Sequence, residues 1–194
     1  MATEVGTRRE QILATAAELF AARGFHGVSV ADLGAACGIS GPALYKHFPS
    51  KDAVLAEMLV SISEELLRVG RERVAAAPDA RAALVALVEW HVDFAVTHRP
   101  LIVVQDRDWE SLPDDARERV RSLQREYVDL WAAQVRGLYD DPPLGLERAR
   151  AMAHVAFGLI NSTPHSGLLP DDELAGLLRE MALRALGPGL EPHP

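Results

Sequence analysis

The chain contains 194 residues, of which 48% are hydrophobic and 25% are charged, a balance that is ordinary for a globular protein with a substantial core. It has no run of about eighteen apolar residues and no apolar N-terminal segment, so neither a membrane span nor a secretion signal is expected. Its net charge of −8 excludes a protein that coats nucleic acid indiscriminately. Its single cysteine, Cys37, excludes an internal disulfide and favours the reducing cytoplasm.

The charge is unevenly distributed along the chain. Residues 1–51 carry five Lys or Arg and four Asp or Glu, a net charge of +1, whereas the remaining residues carry a net charge of −9. A near-neutral head on an acidic body suits a protein that approaches DNA with one end only.

A first helix is predicted from the capping residue Thr7 to about Arg23. Its apolar residues recur at helical spacing, and Gly24 directly after it is a helix terminator. Phe25 is then expected to be buried between helices.

The next stretch predicts two short helices joined by a tight turn. Ser29 is a good N-cap for the second helix, and Gly38 can adopt the left-handed conformation that ends it. Ser40 caps the third helix, and Pro42 falls in its first turn, where a missing N–H is tolerated. The third helix then presents small, basic and aromatic groups on its outside, which is typical of a helix-turn-helix for the DNA major groove.

Six further helices are predicted in the rest of the chain. The fourth begins after the cap Ser50, carries an apolar stripe to near Val69 and is followed by a break at residues 75–79. The others cover about residues 79–98, 101–109, 113–138, 146–161 and 171–186. No strand pattern competes with them, so the predicted fold is all-α with about nine helices. The predicted domains are a three-helix DNA-binding head over residues 1–51, a helical effector-binding and dimerisation body over residues 52–188, and a disordered tail over residues 189–194.

Two adjacent segments resemble the N-terminal domain of tetracycline-repressor (TetR) family transcriptional regulators: A-A-E-L-F-A-A-R-G-F-H-G-V-S-V and G-I-S-G-P-A-L-Y-K-H-F-P-S-K-D. The resemblance covers residues 8 to 55, and the remainder fits the family by length and helical character. It implies a ligand-responsive, sequence-specific repressor that binds a palindromic operator as a homodimer. A small apolar effector is expected to release it from the DNA, and neither enzyme activity nor a cofactor is implied.

In the family, DNA contacts come from the start of the second helix, the third helix and the start of the fourth. Carried over by motif position, the DNA-binding residues are Ser29, Ser40, Gly41, Pro42, Ala43, Tyr45, Lys46, His47 and Lys51. Ser29, Lys46 and Lys51 are expected to contact phosphates, although helix capping alone would explain both serines equally well. The third helix has no Arg, Asn or Gln, so specificity is expected to depend on Tyr45, Lys46 and Pro42 and on DNA shape.

The eighth and ninth helices carry more apolar residues than one core face needs, which is typical of a homodimer interface. The predicted interface residues are Met152, Ala153, Ala156, Phe157, Ile160, Leu174, Leu177, Leu178 and Met181. A four-helix bundle across the two-fold axis is the expected form.

The family resemblance places an effector pocket within helices four to eight. Aromatic and polar residues that could line it are Trp90, His91, Phe94, Trp109, Tyr127, Trp131, His154, Phe157 and Asn161, although each aromatic residue could equally belong to the core. The apolar run that begins at Leu101, with the charged segment after it, is similar to regulators of lipid and acyl-CoA catabolism. A thioester effector would need a nearby cation, and Arg99, Arg107 and Arg121 are candidates that could equally be solvated.

Enzyme signatures are absent: the sequence has no G-x-S-x-G, P-loop, G-x-G-x-x-G or H-E-x-x-H motif, and its His and acidic residues lack metal-ligand spacing. A catalytic site and a metal site are therefore not predicted. Two alternatives to the repressor stay open, namely an activator of the same architecture and a helical ligand-binding protein whose head contacts proteins instead of DNA. The expected partners are double-stranded DNA, a second copy of the chain and a small-molecule effector, without a membrane.

Overall fold

The computed structural model describes residues 7–139, 144–187 and 190, and these residues form an all-helical protein. The described ranges contain nine α-helices: α1 (Arg8–Arg23), α2 (Val30–Ala36), α3 (Gly41–Leu44), α4 (Lys51–Ala76), α5 (Ala80–Thr97), α6 (Arg99–Asp108), α7 (Asp114–Arg136), α8 (Leu146–Ile160) and α9 (Asp171–Leu186). Short 3-10 helices follow α6 and α8. The predicted all-α fold with nine helices is confirmed.

Helix starts follow the capping residues that the sequence predicts. The Thr7 hydroxyl accepts a hydrogen bond from the Glu10 N–H at 3.3 Å, and the Ser50 hydroxyl accepts one from the Ala53 N–H at 3.0 Å. Each bond satisfies a backbone donor that the first turn of a helix leaves without a partner. Local side-chain chemistry is therefore sufficient to place these boundaries.

The apolar stripe that the sequence predicts to near Val69 belongs to a helix that continues to Ala76, at the predicted break over residues 75–79. Gly70 lies inside this helix, and a Cβ atom there would approach Cε2 of Tyr127 to 2.8 Å. Gly70 thus permits close packing of α4 against α7 and does not terminate the helix.

The described residues form two compact units with separate cores. The head unit contains the described residues up to Ile62 together with Pro100–Val120, and the body unit contains Ser63–Arg99 and the described residues from Arg121 onward. The core of the head contains apolar residues from the first three helices together with residues of α4, α6 and α7. Its members include Ile12, Phe20, Leu33, Leu44, Phe48, Leu55, Leu59, Val104 and Val120. The compact head therefore extends beyond the predicted boundary at residue 51, because the first half of α4 and all of α6 but its first residue complete its core.

The body unit packs α5, α8 and α9 together, with Trp131 of α7 fully buried among aromatic neighbours. Leu190 is 3% exposed and lies close to Gly187. Leu190 falls in the predicted tail over residues 189–194, and burial of its apolar side chain stabilises its position. The other residues of that tail lie outside the described part of the chain.

Candidate functional site

The start of α2 is held by a reciprocal pair of hydrogen bonds between Ser29 and Asp32. The Ser29 hydroxyl accepts from the Asp32 N–H at 3.1 Å, and the Asp32 carboxylate accepts from the Ser29 N–H at 2.8 Å and from its hydroxyl at 2.5 Å. These bonds lower the pKa of the Asp32 carboxyl, with a smaller contribution from Arg23. The Ser29 hydroxyl is therefore occupied by the cap, and a phosphate contact from this residue would have to compete with it.

The turn between α2 and α3 depends on two glycines. Gly38 has φ +66°, a left-handed conformation that favours glycine, and the Ile39 N–H donates to the Gly34 carbonyl at 2.8 Å. A Cβ atom on Gly34 would lie 2.9 Å from the Ile39 carbonyl oxygen and 3.0 Å from the Gly41 nitrogen. Gly34 therefore allows the backbone of α3 to approach α2 closely, which sets the position of α3.

The predicted DNA-binding residues of the third helix differ in their exposure. Its N-cap Ser40 accepts from the Ala43 N–H at 3.3 Å, while Gly41 and Ala43 are half-buried and Pro42 is exposed in the first turn. Leu44 and Phe48 are buried in the head core and anchor this segment.

Two side chains project from the end of α3 into solvent. Tyr45 is 54% exposed and Lys46 is also exposed, whereas His47 is half-buried. A phenol and an ammonium group on this surface can donate to DNA phosphates. Among the predicted DNA-binding residues, Tyr45 and Lys46 are thus the long side chains that the fold presents outward.

Lys51 has a different position from the one expected for a phosphate-binding residue. Its Nζ atom donates to the carbonyls of Phe25 and Val28 at 2.7 and 2.8 Å and lies 4.2 Å from the centre of the Phe25 ring. Two of its three donors are thus used inside the head to close the loop between α1 and α2. The structure therefore gives Lys51 a structural role.

Two arginines that the sequence analysis did not single out connect the helices of the head. Arg9 donates to both carboxylate oxygens of Glu57 and to the His47 carbonyl, and its guanidinium lies 4.2 Å from the centre of the Phe48 ring. Arg8 donates to the Cys37 carbonyl at the end of α2 at 2.5 Å. These contacts span up to 48 residues of sequence, so no local pattern could have identified them.

Arg107 and Asp108, the last two residues of α6, bind backbone groups at the end of α1 and just after it. The Arg107 guanidinium donates to the carbonyls of Phe20 and Ala21, the latter at 3.0 Å, and Asp108 accepts from the Phe25 N–H at 3.3 Å. The last carbonyls of a helix lack partners within it, and a cation there also complements the helix dipole. Arg107, one of the three candidate effector cations, is therefore engaged in the head.

Most of the predicted ligand-binding residues form a polar and aromatic cluster in the body unit. Its centre is His91, whose ring lies 5.0 Å from the Phe157 ring and 5.7 Å from the Tyr127 ring, centre to centre. Nδ1 of His91 lies 3.3 Å from the Tyr127 hydroxyl, and Nε2 lies 3.2 Å from Oδ1 of Asn161. Phe94 and Trp131 contact the same histidine ring. The sequence prediction thus named six residues that the fold brings together in one cluster.

The remaining ligand candidates lie elsewhere. Trp90 is half-buried on α5, and Trp109 packs on the core of the head unit. His154 is exposed on α8, with its ring 6.4 Å from that of Phe157. His154 is therefore at the edge of the cluster.

Burial strongly disfavours the charged form of His91 and lowers its pKa from 6.5 to about 4, although the hydrogen bond with Asn161 opposes this shift. Burial also raises the pKa of the Tyr127 hydroxyl well above its ordinary value. A consistent assignment is a neutral histidine that accepts from Tyr127 through Nδ1 and donates to Asn161 through Nε2.

We predict that the free energy of unfolding falls when the pH is lowered from 6.5 towards 4. Between these pH values His91 is protonated in the unfolded chain and neutral in the folded chain. The stabilisation that comes from the neutral histidine is therefore fully present only above the pKa of His91 in the unfolded chain, and it is lost as the pH falls towards the folded pKa. A shift of this size corresponds to a loss of about 3 kcal/mol. Urea unfolding across this pH range measures the loss, and His91→Gln is expected to flatten the pH dependence of the free energy of unfolding.

His165→Gln, a change at an exposed histidine, controls for removal of a histidine as such. Equal slopes for the wild type and His91→Gln would contradict the assignment.

The predicted dimer residues divide into two groups in the structure. Ala153, Ala156, Ile160, Leu174 and Leu178 are at most 4% exposed and belong to the core of the chain itself. Leu177 and Met181 are exposed, and Met152 and Phe157 are half-buried. Val155, which the sequence analysis did not include, is 62% exposed on α8. Helical periodicity identified the apolar helices, but which face of each helix is covered depends on how α5, α8 and α9 pack together.

None of the described helices has both the length and the apolar character needed to cross a membrane. Within the described ranges, no group of three or more His, Cys, Asp and Glu side chains could hold a metal ion.

Comparisons with known proteins agree with this geometry. Residues 12–58 match the family described as bacterial regulatory proteins, tetR family, and residues 77–186 match the family described as tetracyclin repressor-like, C-terminal domain. The transcriptional repressor KstR2 of Rhodococcus jostii is 34% identical over 125 residues, which cover 64% of this chain and 61% of that protein. The match thus spans less than two thirds of the length of that relative.

Solved structures share the fold over nearly the whole chain. A TetR-family regulator from Bordetella parapertussis has 28% sequence identity and a TM-score of 0.80, with 90% of this chain and 93% of that chain covered. The regulator FadR from Bacillus subtilis, in complex with stearoyl-CoA, has 16% identity and a TM-score of 0.75, with coverage of 94% and 99%. At this identity the second likeness concerns the fold alone.

Proposed function

The chain belongs to the TetR family of bacterial DNA-binding transcriptional regulators, which are not enzymes, and we propose that it is a repressor that a small-molecule effector releases from its operator. The observation that carries the DNA-binding part is the exposed pair Tyr45 and Lys46 on an α3 segment anchored by Leu44 and Phe48. The repressor part is supported by the relative KstR2, which is a transcriptional repressor. Because such a protein acts on chromosomal DNA, we propose that it works in the cytoplasm.

We propose that direct base readout is limited. The segment Gly41–Leu44 and the three residues after it contain no Arg, Asn or Gln, the side chains that form bidentate contacts with guanine or adenine. Tyr45 and Lys46, van der Waals contacts from Pro42, and the shape of the DNA therefore supply the specificity. The alternative, a head that contacts proteins, receives no support from a comparable feature of the described surface.

We propose a coenzyme A thioester as the effector class. The B. subtilis FadR structure contains stearoyl-CoA, and its fold is shared by this chain. The aromatic residues around His91 supply apolar surface of the kind that a ligand with an acyl chain contacts. Binding that favours one arrangement of the two heads of a dimer over another would change the operator affinity.

We propose that α8 and α9 form the homodimer interface. Val155 on α8 and Leu177 and Met181 on α9 are 62%, 42% and 46% exposed. Apolar side chains of this size on neighbouring helices are typical of homodimer surfaces. A second copy would cover them and would place two heads on the two halves of a palindrome.

The double substitution Leu177→Glu/Met181→Glu is expected to convert the dimer to monomer, because two carboxylates would be buried without partners. Sedimentation at matched protein concentration measures the oligomeric state. The control variant Ala75→Glu/Ala133→Glu adds the same charge at exposed positions of α4 and α7 and should remain a dimer. Dimers of equal strength in both variants would place the interface elsewhere.

The repressor proposal is tested by selecting genomic fragments with the purified protein at two salt concentrations and sequencing the bound DNA. Enrichment of one palindromic site at both concentrations is expected, with affinity that decreases as the salt concentration rises. Addition of acyl-CoA thioesters of several chain lengths should release that site. Salt-sensitive binding to all fragments without enrichment would contradict specific recognition.

A further inference from the structure

A groove with a volume of about 370 Å³ lies between α7 and α8 of the body unit. Three arginines line it, Arg121 and Arg125 from α7 and Arg150 from α8, together with His154. Asp129 is the single acid among the lining residues. The groove therefore concentrates positive charge in a protein whose net charge is −8.

Arg150 is held in place by acids on both helices. Its Nε and Nη2 atoms donate to the two carboxylate oxygens of Asp129 at 2.6 and 3.1 Å, and Nη1 donates to Glu147 at 3.0 Å. The hydrogen bond from Arg150 lowers the pKa of the Asp129 carboxyl, so the pair stays ionised. Asp129 thus orients one guanidinium at the groove, as a supporting carboxylate does in a preformed anion site.

Guanidinium groups are suited to phosphate because their planar N–H donors match two phosphate oxygens at once. Arg121 and Arg125, one helical turn apart on α7, place two such groups at the groove. A volume of about 370 Å³ lies at the lower end of the range of roughly 300–1,000 Å³ for small-molecule sites, so the groove fits the polar end of a larger ligand.

The groove adjoins the aromatic cluster through His154. The ring of this residue meets the Phe157 ring at 6.4 Å with an interplanar angle of 85°, and Phe157 stacks on Tyr127 at 5.5 Å. Helices α7 and α8 therefore carry a cationic groove and an apolar cluster side by side. This juxtaposition suits a ligand that has phosphates at one end and an apolar chain at the other.

We propose that the groove between α7 and α8 binds the phosphate groups of the effector, with Arg121 and Arg125 as the phosphate ligands and the acyl chain directed towards the cluster around His91. Arg150, which is paired with Asp129 and Glu147, forms the α8 side of the groove. The assignment rests on the proposed function for the identity of the effector. Of the three arginines that the sequence offered as effector cations, Arg121 alone lines the groove. Arg107 binds α1 carbonyls, and Arg99 pairs with Asp171 at 2.8 Å.

Isothermal titration calorimetry with free coenzyme A, and competition by inorganic pyrophosphate, test the groove without an acyl chain. Coenzyme A is expected to bind the wild-type protein, and pyrophosphate is expected to compete with it. The variant Arg121→Gln/Arg125→Gln should weaken coenzyme A binding by about tenfold or more, because hydrogen bonds to charged groups are lost. Binding should also weaken as the salt concentration rises.

The matched control is Arg68→Gln/Arg73→Gln, which removes the same charge from exposed positions of α4. It should bind coenzyme A as the wild type does, and equal melting temperatures would show that both variants fold. Equal coenzyme A affinity for the groove variant and the wild type would overturn the proposal, as would the absence of coenzyme A binding to the wild type at millimolar concentration.

Operator binding separates this proposal from the proposed function. The groove variant should still bind the operator but should need more acyl-CoA for release than the wild type or the α4 control. Failure of the wild type to select any operator would contradict the repressor, whereas the calorimetric comparison would still decide whether the groove binds phosphates.

Discussion

Tyr45→Ala and Lys46→Ala are each expected to weaken operator binding by about tenfold or more, without a change in melting temperature or in dimer formation. Both side chains are exposed at the end of α3, so their removal leaves the head core intact. Lys46→Ala should also reduce the slope of log affinity against log salt by about 1, because one phosphate contact is lost. Fluorescence anisotropy with labelled operator at several salt concentrations measures both quantities.

Lys51→Met is the matched comparison, because it removes an ammonium group from a lysine that the fold uses internally. It leaves the Phe25 and Val28 carbonyls without their partner, so the head should lose about 1–3 kcal/mol of stability. Its operator affinity should therefore fall together with the melting temperature. A smaller salt dependence of operator affinity in Lys51→Met, with an unchanged melting temperature, would show that Lys51 contacts phosphate. Unaltered operator affinity in both Tyr45→Ala and Lys46→Ala would refute the proposal that α3 contacts the DNA.

Gly34→Ala is expected to abolish specific operator binding and to destabilise the head by about 1–3 kcal/mol, as overpacking does. The added methyl group would lie 2.9 Å from the Ile39 carbonyl oxygen and 3.0 Å from the Gly41 nitrogen, and backbone atoms cannot move aside as a flexible side chain can. The α3 helix would have to shift away from α2, and the positions of Tyr45 and Lys46 on the DNA would change with it.

Thermal unfolding and operator titration of the same preparation measure the two effects of Gly34→Ala. The control is Gly145→Ala, at the start of α8, where φ is −64° and no atom lies within 4 Å of the added Cβ. This control should bind the operator as the wild type does. Wild-type operator affinity in Gly34→Ala would mean that the turn tolerates a displaced α3 and that the close approach of the two backbones does not control DNA binding.

The local organisation of the head could be predicted from sequence because each of its signals acts over a few residues. Ser29, Ser40 and Ser50 accept hydrogen bonds from N–H groups three residues later, and Gly38 takes a positive φ directly after α2. Leu44 and Phe48 are buried as their spacing of four residues predicts. The all-α fold and the exposure of Tyr45 and Lys46 follow from these short-range relations.

The roles of the charged side chains could not be predicted, because each depends on a partner that is distant in sequence. Lys51 and Lys46 are equivalent as isolated lysines, yet one binds carbonyls more than twenty residues away and the other faces solvent. Arg9, Arg107 and Arg150 likewise find their partners on other helices. The residue type shows that a side chain can form an ion pair or a hydrogen bond, whereas tertiary packing decides which partner it finds.

The sequence by itself determined the helices, their caps and the helix-turn-helix, since periodicity and capping are properties of neighbouring residues. Only the tertiary structure decided that the first part of α4 and most of α6 complete the head, and that Leu174 and Leu178 are core while Leu177 and Met181 face outward. It alone also placed three arginines around one groove. The physical reason is that burial and charge pairing are relations between whole helices, and a helical pattern shows an apolar face without showing what covers it.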